Sequence, residues 1–179
     1  MMQCGAIRYN VSSKSQIAAS QIQHQVFVQK TSCCYPTLGA SYKISDLYHC
    51  LVQDESRNTM ILNDIVSALE KNRISLLLTQ RTQHLQWFAD KLSPFTKNIF
   101  ILQGKMKRSE RQEIFQNLRS LPDNEKRIIL ATGSYIGEGF DDPRLDTLFL
   151  ALPVSWQGTL QQYVGRLHRT HQYKKDILV

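Results

Sequence analysis

From residue 74 onward, short apolar runs alternate with longer stretches whose apolar positions recur at helical spacing. Residues 74–79, 98–102, 127–132 and 146–152 are each brief and rich in Ile, Leu, Phe and Ala, the pattern of strands buried on both faces. Pro153 stops the last of them. Between the first two, residues 81–92 place Leu85, Phe88, Ala89 and Leu92 at i, i+3, i+4 and i+7, one helical face. Ser109 and Gln112 have the spacing of a capping box, and Ile114, Leu118 and Leu121 continue a helical stripe behind it. Residues 57–69 predict a helix that turns Ile61, Ile65, Ala68 and Leu69 inward. Residues 25–31 and 176–179 read as further strands. Such alternation predicts an α/β domain with a mainly parallel sheet and helices on both faces. Ligands of such sheets sit beyond the carboxyl ends of the strands, so chemistry is expected in the loops after Thr79, Leu102, Thr132 and Leu152.

A chain of 179 residues suits a single domain with one sizeable core. Residues 1–24 are polar, rich in Ser and Gln, and read as a linker or arm; residues 25–179 read as the folded domain. Residues 32–44 read as a loop. No apolar run approaches the roughly 18 residues of a membrane span, and the N-terminus lacks the basic-then-apolar order of a signal peptide. Cys4, Cys33, Cys34 and Cys50 show no C-x-x-C spacing, which points to reduced thiols in a cytoplasmic protein and to no metal site. The net charge of +7 suits a polyanionic partner, although a solvated basic face gives the same balance.

Residues 159–169 carry the most specific pattern. Leu160, Tyr163, Val164 and Leu167 form one helical stripe, and Gln162, Arg166 and Arg169 share a different face. Gly165 lies between the two faces, at a cost of roughly 1 kcal/mol relative to alanine, which suggests close approach to the backbone there. Paired guanidinium groups suit a triphosphate, and an ordinary amphipathic helix with solvated arginines has the same spacing. Upstream, the strand ending at Thr132 runs into a loop containing Gly137, Gly139 and Asp141. A dinucleotide-binding reading fails, because Asp142 stands where the third glycine belongs and Pro143 follows. A glycine-rich loop with carboxylates can instead approach a phosphate chain, or a ribose through Asp141.

The order and separation of these two motifs resemble motifs V and VI of superfamily two helicases. Thr79 to Thr82 after an apolar strand resembles motif IV, and Gln103-Gly104 resembles the segment between motifs IV and V, where many members carry two glycines. The wording of residues 135–141 and 162–169 is similar to bacterial DEAD/DEAH-box helicases of restriction-endonuclease-like type. The resemblance implies a RecA-like fold and the second lobe of an ATP-driven motor. Arg166 and Arg169 would then reach the γ-phosphate of ATP, Gln162 would position nucleotide and water, and Gly137, Gly139, Asp141 and Gly165 would line the nucleotide side. Thr79, Arg81, Gly104 and Thr132 would follow a nucleic-acid strand, DNA in preference to RNA.

No G-x-x-x-x-G-K-[ST] loop occurs in the sequence, so ATP and Mg2+ are expected to be held mainly by a first RecA-like lobe that the chain does not contain. The resemblance therefore implies an isolated chain that is not catalytically competent. The competing reading is a module that binds nucleic acid or protein without a catalytic cycle. Asp54 and Glu55 look like a magnesium-binding acid pair, but they stand before the motif IV strand and read as surface acids of one helix across residues 47–57. Trp87 and Trp156 are candidates for stacking on bases or for packing.

Overall fold

The computed structural model describes residues 23–31, 43–104, 106–132, 142–153, 163–169, 171–172 and 174–179. The strands are β1 (Gln23–Gln25), β2 (Ser75–Thr79), β3 (Ile99–Leu102), β4 (Ile128–Thr132), β5 (Thr147–Leu150) and β6 (Asp176–Leu178). The helices are α1 (Ile44–Gln53), α2 (Glu55–Glu70), α3 (Thr82–Leu92) and α4 (Arg108–Ser120), and residues 163–167 are also helical. The strands form one sheet in the order β1-β6-β5-β2-β4-β3, and every pairing is parallel.

Strands β2 and β4 are buried along their whole length. Side chains alternate across a strand, so each presents two apolar faces. Leu76, Leu78, Ile129 and Ala131 join Leu118 of α4, Tyr163 and Leu167 in one cluster. Leu77, Ile128 and Leu130 join Ile61, Ile65 and Leu69 of α2 and Leu85, Phe88, Ala89 and Leu92 of α3 in the other. Each fully buried Leu or Ile contributes about 1.5–3 kcal/mol relative to exposure. The inward residues expected of α2 and α3 are all buried.

Three local expectations are corrected. The helix expected across residues 47–57 is two helices. Asp54 has extended backbone angles (φ −73°, ψ 94°), and its Oδ1 accepts the Arg57 amide at 2.9 Å, which caps α2 and leaves α1 to end at Gln53. The cap of α4 lies two residues before the expected one: the amide of Lys107 donates to Glu110 Oε2 at 2.9 Å. The expected strand 25–31 is shorter and earlier. Gln23–Gln25 pair with β6, and past them Val26, Phe27 and Val28 are exposed.

A neutral polar network fixes the carboxyl end of β2. Asn58 Nδ2 donates to the Val52 carbonyl at 2.7 Å, which leaves Asn58 Oδ1 to accept from His84 Nε2 at 2.9 Å. His84 Nδ1 is then the acceptor for the Thr79 hydroxyl at 3.0 Å. His84 is fully buried, and burial followed by the nearby Arg57 charge lowers its pKa from 6.5 to about 4. The unfolded chain takes up a proton near pH 6.5 that the folded chain refuses until about pH 4. The contribution of His84 is therefore complete above pH 6.5 and is lost as the pH falls through that window. Urea unfolding from pH 7 to 4 should show wild type losing about 3 kcal/mol more than His84→Gln over that range; parallel curves for the two proteins would remove His84 as the cause.

Candidate nucleotide and nucleic-acid interface

Parallel pairing brings all strand ends to one side of the sheet. Thr79 stands opposite Thr132, and Leu102 opposite Ala131. Leu78 stands opposite Leu150, and the Ala151 amide donates to the Leu78 carbonyl at 2.9 Å. The loops after β2, β3, β4 and β5 therefore leave from one row, and Thr79, Arg81, Gly104 and Thr132 belong to it.

These residues differ in what they present. Arg81 and Gly104 are exposed. The Arg81 guanidinium lies 5.6 Å from the ring centre of Tyr48, whose hydroxyl donates to the Pro153 carbonyl at 3.2 Å. Thr79 is 1% exposed and its hydroxyl is engaged with His84. Its place follows from alternation, which puts it on the same face as Leu77, under α3. Thr132 is also buried, and its hydroxyl has no hydrogen-bond partner among the described residues. Of these four residues, Arg81 and Gly104 are therefore the ones open to solvent. Arg57 Nη2 donates to the Ala151 carbonyl at 2.6 Å and ties α2 to the same row.

The helical residues 163–167 lie on the sheet face opposite α2 and α3. Tyr163 and Leu167, one turn apart, are buried and pin this segment to the core. Gly165 and Arg169 are exposed and Arg166 is half-buried. A Cβ added to Gly165 would meet nothing within 4 Å. Packing among the described residues does not require a glycine there. Arg166 follows it directly and Arg169 lies one turn further on.

Lys174 closes the end of this segment. Its Nζ donates to the Leu167 and Arg169 carbonyls, each at 2.8 Å. Burial lowers the Lys174 pKa to about 8, against the opposing pull of Asp146 and Asp142. Burial also raises the Asp146 carboxyl, although the Thr147 hydroxyl donates to it at 2.7 Å and Arg73 lies 3.4 Å away.

Gln162, Gly137, Gly139 and Asp141 lie outside the described residues, as do Leu160 and Trp156. Trp87 packs edge-on against Phe88 with ring centres 4.9 Å apart, beside the α2–α3 cluster. The sequence reading missed His84, Asn58 and Lys174. His84 did carry a signal, since it lies one turn before Phe88 on an otherwise apolar face. The signal for Lys174 is a basic side chain a few residues past a helix end, placed to reach the last carbonyls. Among the described residues, no helix is long and apolar enough to cross a membrane.

Residues 57–171 match the family model of the helicase conserved C-terminal domain. Transcript termination protein A18 of Yaba-like disease virus is 28% identical over 146 residues, covering 79% of this chain and 30% of that protein. Its counterpart from vaccinia virus (strain Ankara) is 27% identical over 132 residues, covering 70% of this chain and 26% of that protein. The chain thus spans less than a third of the length of these relatives. The crystal structure of T4 UvsW superposes with a TM-score of 0.60 at 18% identity, covering 77% of this chain and 27% of the other. The C-terminal part of the Fun30 ATPase domain superposes at 0.52 with 19% identity, covering 62% of this chain and 36% of the other. At these identities the structural likeness bears on the fold alone. With nearly two thirds of its length inside the matched region, the chain belongs to the helicase conserved C-terminal domain family, and its fold is RecA-like.

Proposed function

We propose that this domain is the second motor lobe of a cytoplasmic, ATP-dependent helicase or translocase of DEAD/DEAH-box type acting on nucleic acid, with DNA favoured over RNA. The observation that carries the proposal is the segment at 163–169, pinned by Tyr163 and Leu167 while Gly165 is exposed just before Arg166, with Arg169 one turn further on. The open backbone at Gly165 and the two arginines beside it fit a triphosphate brought by another lobe. ATP with Mg2+ would be held mainly by a first RecA-like lobe and would supply the phosphoryl group that is transferred.

The residues of this chain complete the site. Arg166 and Arg169 offset charge that develops on the γ-phosphoryl oxygens. Gln162 orients nucleotide and water, and Gly137, Gly139 and Asp141 line the same side of the cleft. Arg81 and the backbone at Thr79, Gly104 and Thr132 hold phosphates of the strand, contacts that position without reading sequence. Closing the two lobes assembles the site, and hydrolysis releases the grip. The buried hydroxyl of Thr79 assigns that residue a part in shaping the edge through His84, with its backbone left for contact.

The isolated chain should hydrolyse no ATP. Joined to a first RecA-like lobe it should show nucleic-acid-stimulated hydrolysis, which Arg166→Ala or Arg169→Ala lowers by roughly a thousandfold. Robust hydrolysis by the pure chain that disappears in Arg166→Ala would overturn the two-lobe reading. Silence of the joined lobes would favour the non-catalytic binding module.

Gly165→Ala separates packing from function. The variant should gain up to about 1 kcal/mol in urea unfolding, because a Cβ has space there and glycine is a poor helix former. Its hydrolysis in the two-lobe assembly should nonetheless fall. A stabilised variant with undiminished hydrolysis would show that nothing approaches that backbone.

Binding of single-stranded nucleic acid by the chain should weaken steeply as salt rises. Arg81→Ala should weaken it evenly across sequences and reduce the slope of log affinity against log salt by about one contact. An unchanged slope would remove Arg81 from the track.

A further inference from the structure

A helix leaves its last carbonyls without partners inside the helix, and in this domain the side chain of Lys174, five residues beyond Arg169, takes two of them. The amide of His168 bonds the Val164 carbonyl at 3.2 Å and that of Arg169 bonds the Arg166 carbonyl at 3.5 Å, so the turn tightens as it ends. Lys174 Nζ then reaches the carbonyls of Leu167 and Arg169, each at 2.8 Å. These two residues bracket the last turn: Leu167 directly follows Arg166, and Arg169 is the second arginine of the motif.

The backbone of Lys174 is itself anchored. Its amide bonds the His171 carbonyl at 3.0 Å, and two residues later β6 begins, with Ile177 buried in the core. The Leu178 amide bonds the Asp146 carbonyl at 2.9 Å, which joins this segment to the start of β5. Lys174 therefore links the end of the arginine-bearing turn to the sheet. A cation at a helix carboxyl end also meets the negative pole of the helix. Burial works against the charge on this lysine, with Asp146 and Asp142 only partly offsetting it. A charged group kept in such surroundings adds little to global stability while making specific bonds.

We propose that Lys174 is a positioning residue for the arginine turn: its ammonium group clamps the Leu167 and Arg169 carbonyls to the sheet and so sets where Arg166 and Arg169 stand. The clamp is a property of this chain alone; its catalytic consequence rests on the two-lobe reading above. An arginine displaced by even a fraction of an ångström loses its aim at a transferring phosphoryl group, so the effect falls on turnover more than on nucleotide affinity.

The test compares wild type, Lys174→Met and Lys174→Arg as the 179-residue chain, by backbone amide hydrogen exchange. Lys174→Met keeps the apolar stem and removes the donors. It should speed exchange at the amides of Leu167, His168 and Arg169 by about tenfold or more, with β2 and β4 unchanged. Lys174→Arg, which keeps donors and charge, should stay near wild type. In the two-lobe assembly, Lys174→Met should lower kcat by about tenfold and leave the KM for ATP within about twofold, with Lys174→Arg restoring most of the rate. Unchanged exchange at these three amides in Lys174→Met overturns the clamp. If Lys174→Met loosens the whole fold, exchange will rise in β2 and β4 as well, and Lys174→Gln, a shorter neutral donor, decides by the same local readout. Should the wild-type assembly hydrolyse no ATP, the motor reading fails, and exchange in the chain alone still decides for or against the clamp.

Discussion

The parallel pairing of β2 with β4 is the constraint from which the rest of the domain follows. Ser75–Thr79 lies beside Ile128–Thr132 in unbroken register, and none of these residues is exposed. Two apolar faces demand two layers of helix, because a strand buried on one face only would leave half its side chains in water. Parallel neighbours also cannot be joined by a tight turn, so each connection crosses over through a helix or long loop. Burial and connectivity together send every strand end to the same edge. The site is placed by the hydrophobic core before any chemistry is added to it.

The two edges of the sheet are stabilised by different physics. Ion pairs between described residues gather at the amino edge, where Arg73 meets Asp176 at 2.8 Å and Asp146 at 3.4 Å. Arg144 meets Asp142 at 2.9 Å and Asp123 at 3.1 Å, and it also closes the end of α4 by bonding the Leu118 carbonyl at 2.8 Å. At the carboxyl edge, the described interior network of Thr79, His84 and Asn58 is neutral. A neutral network holds its geometry when a highly charged ligand arrives, because it has no ion pairs for that ligand to compete with.

Much of the fold is legible in the sequence because burial is periodic. The stripe of Leu85, Phe88, Ala89 and Leu92 is buried as its spacing demands, and so is that of Ile61, Ile65, Ala68 and Leu69. Boundaries are less legible where a partner decides them. Residues 26–28 are an unbroken apolar run that reads as strand, and although the Phe27 amide still bonds the Val179 carbonyl at 2.7 Å, the regular pairing of β1 with β6 spans Gln23–Gln25. Asp54 interrupts a pattern that reads as continuous helix, since an aspartate side chain competes for the backbone amide three residues on. The row at the carboxyl edge is legible from the rule for parallel sheets. The inward turn of Thr79 follows from its shared parity with Leu77. Lys174 is only partly legible: a lysine five residues past Arg169 can reach the last carbonyls of the turn, but its spacing does not tell that from a solvated side chain.

The position of an arginine tip depends on two separate layers of support. The first is apolar: Tyr163 and Leu167 are buried against Leu148 and Ile177, and a side chain held that way resists sliding because every displacement opens a void. The second is polar and sits at the end of the turn, where the apolar anchor stops at Leu167 and Arg169 stands beyond it. Packing alone cannot fix the residue past the last anchor. A carbonyl clamp can, because hydrogen bonds are directional where apolar contact is not. The chain thus uses bulk burial to place the helix and a directional bond to aim its final turn. If the domain closes on a nucleotide-bearing lobe as proposed, both are needed, since the arginines would reach phosphate only if their turn moved with the sheet.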